Sequence, residues 1–141
     1  MVADVERTFE VDAPIEEVWD LIADPETRAE AISVVESYRT DGEEFVWDLE
    51  LPVPVINETV MVRTQDVDRR PPEFVEFVGR STVMEVTGRH SLEPTETGSR
   101  VTNRFIVNGN VPGVETFFRR NLDDELDNLE AALRADLGLP A

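Results

Sequence analysis

The chain carries one histidine, His90. It shares strand parity with Met84, Val86 and Leu92, which predicts an inward-facing imidazole whose acidity is tuned by burial or by a neighbouring carboxylate. As the only histidine it is the natural acid or base, and its other reading is a ring satisfied by hydrogen bonds in a cavity wall. Asn103 shares parity with Val101, Phe105 and Val107 and offers an inward amide, either to a guest carbonyl or to a neighbouring strand or water. Glu58 falls in a predicted strand, Val55 to Val67, with two open registers. Either Asn57, Thr59, Met61 and Arg63 face in, or Ile56, Glu58, Val60 and Val62 do. The second set is more apolar and would put a desolvated Glu58 with a raised pKa at the wall. His90 and Glu58 together would be the proton-transfer groups of a cyclase or hydratase.

Missing residue types exclude other chemistry. Without cysteine there is no disulfide, thiolate metal site or thiol nucleophile, and one histidine removes every multi-histidine metal motif. Without lysine there is no Schiff base and no phosphate-loop lysine. No metal and no cofactor is expected. The runs Asp123-Asp124-Glu125 and Glu43-Glu44 read as solvated faces, with a divalent ion as the alternative.

All 13 basic residues are arginine, set against 31 acidic ones, for a net charge of -18. Such a surface is repelled by phosphate backbones and anionic lipid heads, so nucleic acid is not an expected partner. The acidity and the missing lysines point to a halophilic, haloarchaeal-type cytosol, where salt screens self-repulsion and carboxylates hold water. No charged leader precedes an apolar stretch, and no run approaches the roughly 20 apolar residues that span a bilayer. The expected location is cytoplasmic, without stable membrane insertion.

The elements that position these residues follow from periodicity. Val5, Phe9 and Val11 alternate with polar residues as a half-buried first strand. Ile15, Val18, Trp19 and Ile22 then recur at helical spacing after Asp12 and Pro14, and Asp24-Pro25 starts a second short helix ending near Ile32. Strands are predicted at Val34 to Arg39, across the inward set Phe45, Trp47, Leu49 and Leu51, and at Val55 to Val67, Glu73 to Gly79, Val83 to Leu92 and Arg100 to Val107. Asp41-Gly42 reads as a tight hairpin turn. A last helix, Gly113 to Leu137, carries Val114, Phe118, Leu122, Leu126, Leu129, Leu133 and Leu137 on one stripe.

In an up-and-down meander, turns fall at alternating ends of the sheet. One rim collects Asp41-Gly42, Asp68 to Pro72 and Pro94 to Gly98, all polar. The other collects Pro52-Val53-Pro54, Gly79-Arg80 and Asn108 to Pro112. The second rim is either a cavity mouth or a place where Val53 and Val111 pack on the last helix.

This order resembles the SRPBCC superfamily, the START and birch-pollen-allergen helix-grip fold, over the whole chain. Val11-Asp12-Ala13-Pro14-Ile15-Glu16-Glu17-Val18-Trp19-Asp20 with Asp24-Pro25-Glu26 is similar to the family's opening. Gly88, Leu92-Glu93-Pro94 and Gly98-Ser99-Arg100-Val101 resemble its penultimate hairpin. Asp24 to Gly42 and Pro71-Pro72 are similar to the G-subunit proteins of carbon-monoxide dehydrogenase, and less closely to coenzyme Q-binding START-type proteins. The implied fold is α+β, a curved seven-stranded antiparallel sheet around a long C-terminal helix with two short helices after the first strand, in one domain over residues 1–141.

The resemblance implies an apolar cavity for a lipid, quinone or polyketide-like guest and, in the subgroup, a redox-complex partner. The expected function is binding or transport of a hydrophobic small molecule. The alternatives are a cyclase or hydratase using His90, and an accessory module of a redox enzyme. The expected lining is Phe45, Trp47, Leu49, Met84, His90, Asn103, Phe105, Val107, Val114 and Phe118.

Overall fold

The structure is a computed structural model and describes residues 2–140. Its elements run β1 (Ala3–Val11), α1 (Ile15–Ile22), α2 (Pro25–Ala31), β2 (Val35–Asp41), β3 (Glu44–Leu49), β4 (Val60–Arg70), β5 (Phe74–Arg80), β6 (Met84–Pro94), β7 (Ser99–Gly109) and α3 (Val114–Asp136). The strands form one antiparallel sheet in the order β1-β7-β6-β5-β4-β3-β2. The helix-grip arrangement expected from the sequence is therefore present.

The two short helices carry the chain from one edge of the sheet to the other. α1 buries Val18, Trp19 and Ile22, and α2 begins where the Asp24 carboxylate accepts the Glu26 N–H at 2.9 Å with Pro25 in its first turn. The β2–β3 turn is Gly42-Glu43, one residue later than predicted. Gly42 has φ 63°, the left-handed conformation that a two-residue hairpin turn requires at its first central position.

α3 lies across the concave face, packed on β1 and β7 and on both short helices. Its stripe Val114, Phe118, Leu122, Leu126, Leu129 and Leu133 is buried as predicted, while Leu137 lies just past the helix end and is half-buried. Arg7 of β1 bridges Asp127 at 2.7 Å and Asp123 at 3.1 Å on its outer side.

Some expectations about the elements fail. The predicted strand from Val55 begins only at Val60, because Leu51 to Thr59 form a loop around Pro52 and Pro54, which have no N–H to give to a ladder. The inward set on β4 is Val60, Val62 and Thr64, and Glu58 lies in the exposed loop before it. Glu125 is also not part of a solvated run, since it is only 4% exposed and bonded to Ser33 in the link between α2 and β2. On β3 the outward Val46 is fully buried too. Its cross-strand neighbours are Arg39 and Arg63, whose aliphatic stems can cover it while their heads reach carboxylates.

Candidate functional site

The interior between sheet and α3 has an apolar half and a polar half. The apolar half lies toward the rim of the 81–83 and 110–113 turns. Trp47 and Leu49 of β3, Met84 and Val86 of β6, and Phe105 and Val107 of β7 face Phe118 and Leu122 of α3, with Ile32 and Val34 completing the wall. Strand alternation brings the sheet residues to one face, and three-and-four spacing brings the helix residues opposite them. These side chains enclose a cavity of only about 20 Å³. That is room for about one water, where small-molecule sites are typically roughly 300–1,000 Å³. The roomy container expected from the sequence is closed, and a guest has to move side chains to enter.

The wall reaches the surface at Ile32-Ser33-Val34, the link between α2 and β2, where Ser33 is exposed and Val34 half-buried. Glu125 fastens it. The carboxylate accepts the Ser33 N–H at 2.7 Å and the Ser33 hydroxyl at 2.6 Å. These charge-assisted bonds compensate for burying the carboxylate.

The polar half lies deeper. Arg28 of α2 is 3% exposed, donates to Asp66 at 2.6 Å and to the Ile22 carbonyl at 3.3 Å, and places its guanidinium 5.0 Å from the centre of the Phe77 ring. Burial pulls the Arg28 pKa down and Asp66 pulls it back up. Asp66 serves two arginines because β4 and β5 shift register between Asp66 and Asp68. Val67 is the extra residue and bulges outward, which leaves Arg69 on the same side as Asp66 to donate to it at 2.6 Å.

His90 is fully buried, and its Nδ1 lies 2.8 Å from Asn103 Oδ1. An amide oxygen only accepts, so Nδ1 carries the hydrogen and Nε2 presents a bare lone pair. Burial, then the nearby positive charge of Arg28, lowers the His90 pKa to about 3, against the opposing bond to Asn103. A ring this acidic is neutral at pH 7 and a poor proton acceptor there.

The structure does not bring His90 and Glu58 together, because Glu58 lines an open groove of about 630 Å³ outside the sheet, beside Met61 and Arg80. The proton-transfer pair does not assemble. Of the other expected residues, Trp47, Leu49, Met84, Phe105, Val107 and Phe118 line the cavity. Phe45 is half-buried against Tyr38, ring centres 5.3 Å apart, near the opposite rim. Val114 is buried at the start of α3 but outside the cavity lining, and Val53 packs there as well: a Cβ on Gly113 would lie 2.9 Å from Val53 Cγ1. The helix-packing alternative thus holds for Val53. His90 and Asn103 sit beyond the cavity, behind the rings of Phe77 and Phe105.

Arg28, Phe77 and Glu125 are absent from the expected site. Phe77 had a signal in alternation, since it shares parity with Val75 and Gly79 on a predicted strand. The two charged residues had none, because short helices and acidic runs read as surface.

Among the described residues, no group of three or more His, Asp or Glu is placed to hold a metal ion. No described helix is long and apolar enough to cross a membrane.

Residues 2–134 match the family described as polyketide cyclase / dehydrase and lipid transport. The chain belongs to this family. A comparison with curated proteins finds no match. Among solved structures, the chain is similar to a conserved protein from Geobacillus kaustophilus, with 14% identity, 98% of this chain and 95% of that one covered, and a TM-score of 0.74. It is similar to a START superfamily protein from Mycobacterium smegmatis, with 15% identity, 94% of each chain covered and a TM-score of 0.70. A third similar structure is the di-domain ARO/CYC StfQ from the steffimycin biosynthetic pathway, with 15% identity and a TM-score of 0.70. The match covers 95% of this chain and 50% of that one. At these identities the structural likeness concerns the fold.

Proposed function

We propose that this member of the polyketide cyclase / dehydrase and lipid transport family is a carrier that takes an apolar small molecule between its sheet and α3. The observation that carries the reading is the apolar half of the interior. Trp47, Met84, Phe105 and Phe118 meet around a small remaining space, one wall of which is the partly exposed Ile32–Val34 link. Glu125 supplies the hydrogen bonds between this link and α3, so the link can open at the cost of those bonds and of the bond from the Glu50 N–H to the Val34 carbonyl, with the rest of the sheet folded. Carriage is favoured over catalysis because the buried histidine is a poor base at neutral pH and faces an amide.

The test uses Trp47. In about 2 M KCl, a saturable change in tryptophan emission on adding a long-chain fatty acid or a quinone is expected in Trp19→Phe and is expected to vanish in Trp47→Phe. No change with any apolar compound would refute the carrier reading. Native mass spectrometry of protein purified from its own host would identify a retained guest. The same preparation tests the redox-complex partner implied by the resemblance to the G-subunit proteins of carbon-monoxide dehydrogenase, since a co-purifying dehydrogenase would make the carrier an accessory module.

A further inference from the structure

β4 begins before the strand beside it can pair with it. Its ladder with β5 starts at Arg63↔Arg80, where β5 ends, so Val60, Met61 and Val62 pair with β3 alone. The two-residue turn between β2 and β3 makes Asp41 and Glu44 a hydrogen-bonded pair, and alternation across the sheet then sends the main-chain bonds of Val60 and Val62 to β3. The N–H and C=O of Met61 point the other way, and among the described residues no group bonds to them.

That open edge is one wall of the groove of about 630 Å³ outside the sheet, and the 81–83 turn and the 55–59 loop line the rest. Among the described residues, the large apolar side chains left exposed are Val2, Val55, Met61 and Val67, and Val55 and Met61 both line this groove. Exposed apolar groups beside unpaired main chain mark an interaction surface. The lining holds Arg63 and Arg80 against one acid, Glu58. Arg63 is taken up by Asp41 at 2.9 Å and Glu44 at 3.1 Å. Arg80 is held loosely, by Glu85 at 3.5 Å with its side chain 75% exposed, so its guanidinium is free to take a carboxylate from outside.

Unpaired main chain is satisfied by another main chain at strand spacing, which a bilayer does not offer. A second copy would bring a further net charge of -18 to the contact. We propose that the groove takes an extended segment of a partner protein, laid antiparallel beside β4 and bonded through its main chain to both free groups of Met61. The segment's residue opposite Met61 shares the outer face with Arg63 and Arg80, so a carboxylate there meets Arg80. Its neighbours on either side turn inward toward Val60 and Val83, so they are apolar. This surface lies outside the interior and is independent of the carrier reading.

The test is fluorescence anisotropy of labelled peptides with the full chain in about 2 M KCl, where short contacts survive screening. The peptides are Thr-Val-Glu-Val-Thr, the same sequence with lysine at the centre, and the same sequence with the central glutamate N-methylated. The first should bind saturably below about 1 mM. Central lysine should weaken binding by about tenfold, and so should N-methylation, which removes the donor to the Met61 carbonyl. Saturating peptide should slow amide exchange at Met61. Arg80→Glu changes an exposed side chain and should erase the preference for glutamate over lysine. Equal binding of the glutamate and lysine peptides, indifference to N-methylation, a preference surviving in Arg80→Glu, or no binding at about 1 mM would overturn the proposal and leave the carrier untouched. Sedimentation of the same protein separates the other occupants. Dimers that the peptide dissociates would give the groove to a second copy, and binding to phosphatidylglycerol vesicles without peptide binding would give it to a lipid surface; either result overturns the partner segment.

Discussion

Ser33, at the midpoint of the link between α2 and β2, gives both its N–H and its hydroxyl to the buried carboxylate of Glu125 on α3. The residues on either side of it, Ile32 and Val34, are cavity wall, so this pair of bonds fastens the outermost part of the site to the helix that closes it. Glu125→Gln keeps the shape but sets an amide where a double acceptor is needed. It should cost about 1–3 kcal/mol, the range for an unsatisfied buried group. Amide exchange at residues 32–34 should quicken selectively, and uptake of an apolar probe should be faster than in wild type. Unchanged exchange there would mean that Glu125 does not hold the link.

His90 makes a prediction about pH. Its folded pKa is about 3 against an ordinary value of 6.5, so below pH 6.5 the unfolded chain binds a proton that the folded one refuses. Stability is therefore complete above pH 6.5 and falls as pH drops toward 3, by roughly 1.4 kcal/mol per unit inside that window. Denaturant titrations at pH 7, 6 and 5 should show the decline, and His90→Gln should flatten it. Equal slopes in wild type and variant would mean that the imidazole is not held neutral.

The stripe of α3 separates a solid region from a yielding one. Leu126 is 1% exposed and lies outside the cavity lining, so Leu126→Ala should cost about 2–5 kcal/mol, as for emptying a packed site. Phe118 lines the cavity. Phe118→Ala also removes a ring, and its cost should fall at the low end of roughly 3–5 kcal/mol. It should also strengthen binding of a bulky apolar probe by joining its vacated volume to the existing space. If Leu126→Ala stays within half a kcal/mol of wild type by chemical denaturation, α3 is not the core element described above.

The architecture was legible because it rests on periodicity. Alternation placed Trp47, Leu49, Met84, His90 and Phe105 on the concave face, and helical spacing placed Phe118 and Leu126 opposite them. Glu58 was misread because Val55 to Thr59 alternates like a strand, although two prolines just before it take the chain out of the ladder. Arg28 and Glu125 were hidden for a different reason. In a chain with 31 acidic residues, a charged side chain next to other charges looks solvated, and only tertiary contacts show that Arg28 is held by Asp66 and Glu125 by Ser33. The packing of the Phe77 ring over Gly88 depends on register. Nothing in the sequence near Gly88 says that Phe77 will lie opposite it.

The surface yields the last prediction. Arg39–Asp48, Arg63–Asp41, Arg100–Glu10 and Arg104–Asp4 are exposed or half-exposed bridges across or beside the outer face of the sheet. Exposed pairs of this kind contribute about 0–1 kcal/mol each and weaken in salt. Against them stands a net charge of -18 on 141 residues, whose self-repulsion opposes the compact state. Raising salt from about 0.1 M to 1 M shortens the screening length from about 10 Å to about 3 Å, which removes long-range repulsion but spares contacts near 3 Å. Repulsion summed over the whole surface should outweigh what the bridges lose. The melting temperature should therefore climb steadily with KCl, and the chain should partly unfold in dilute buffer. A melting temperature that is flat or falling between 0.1 M and 2 M KCl would show that the bridges dominate and that the acidic surface is not an adaptation to salt.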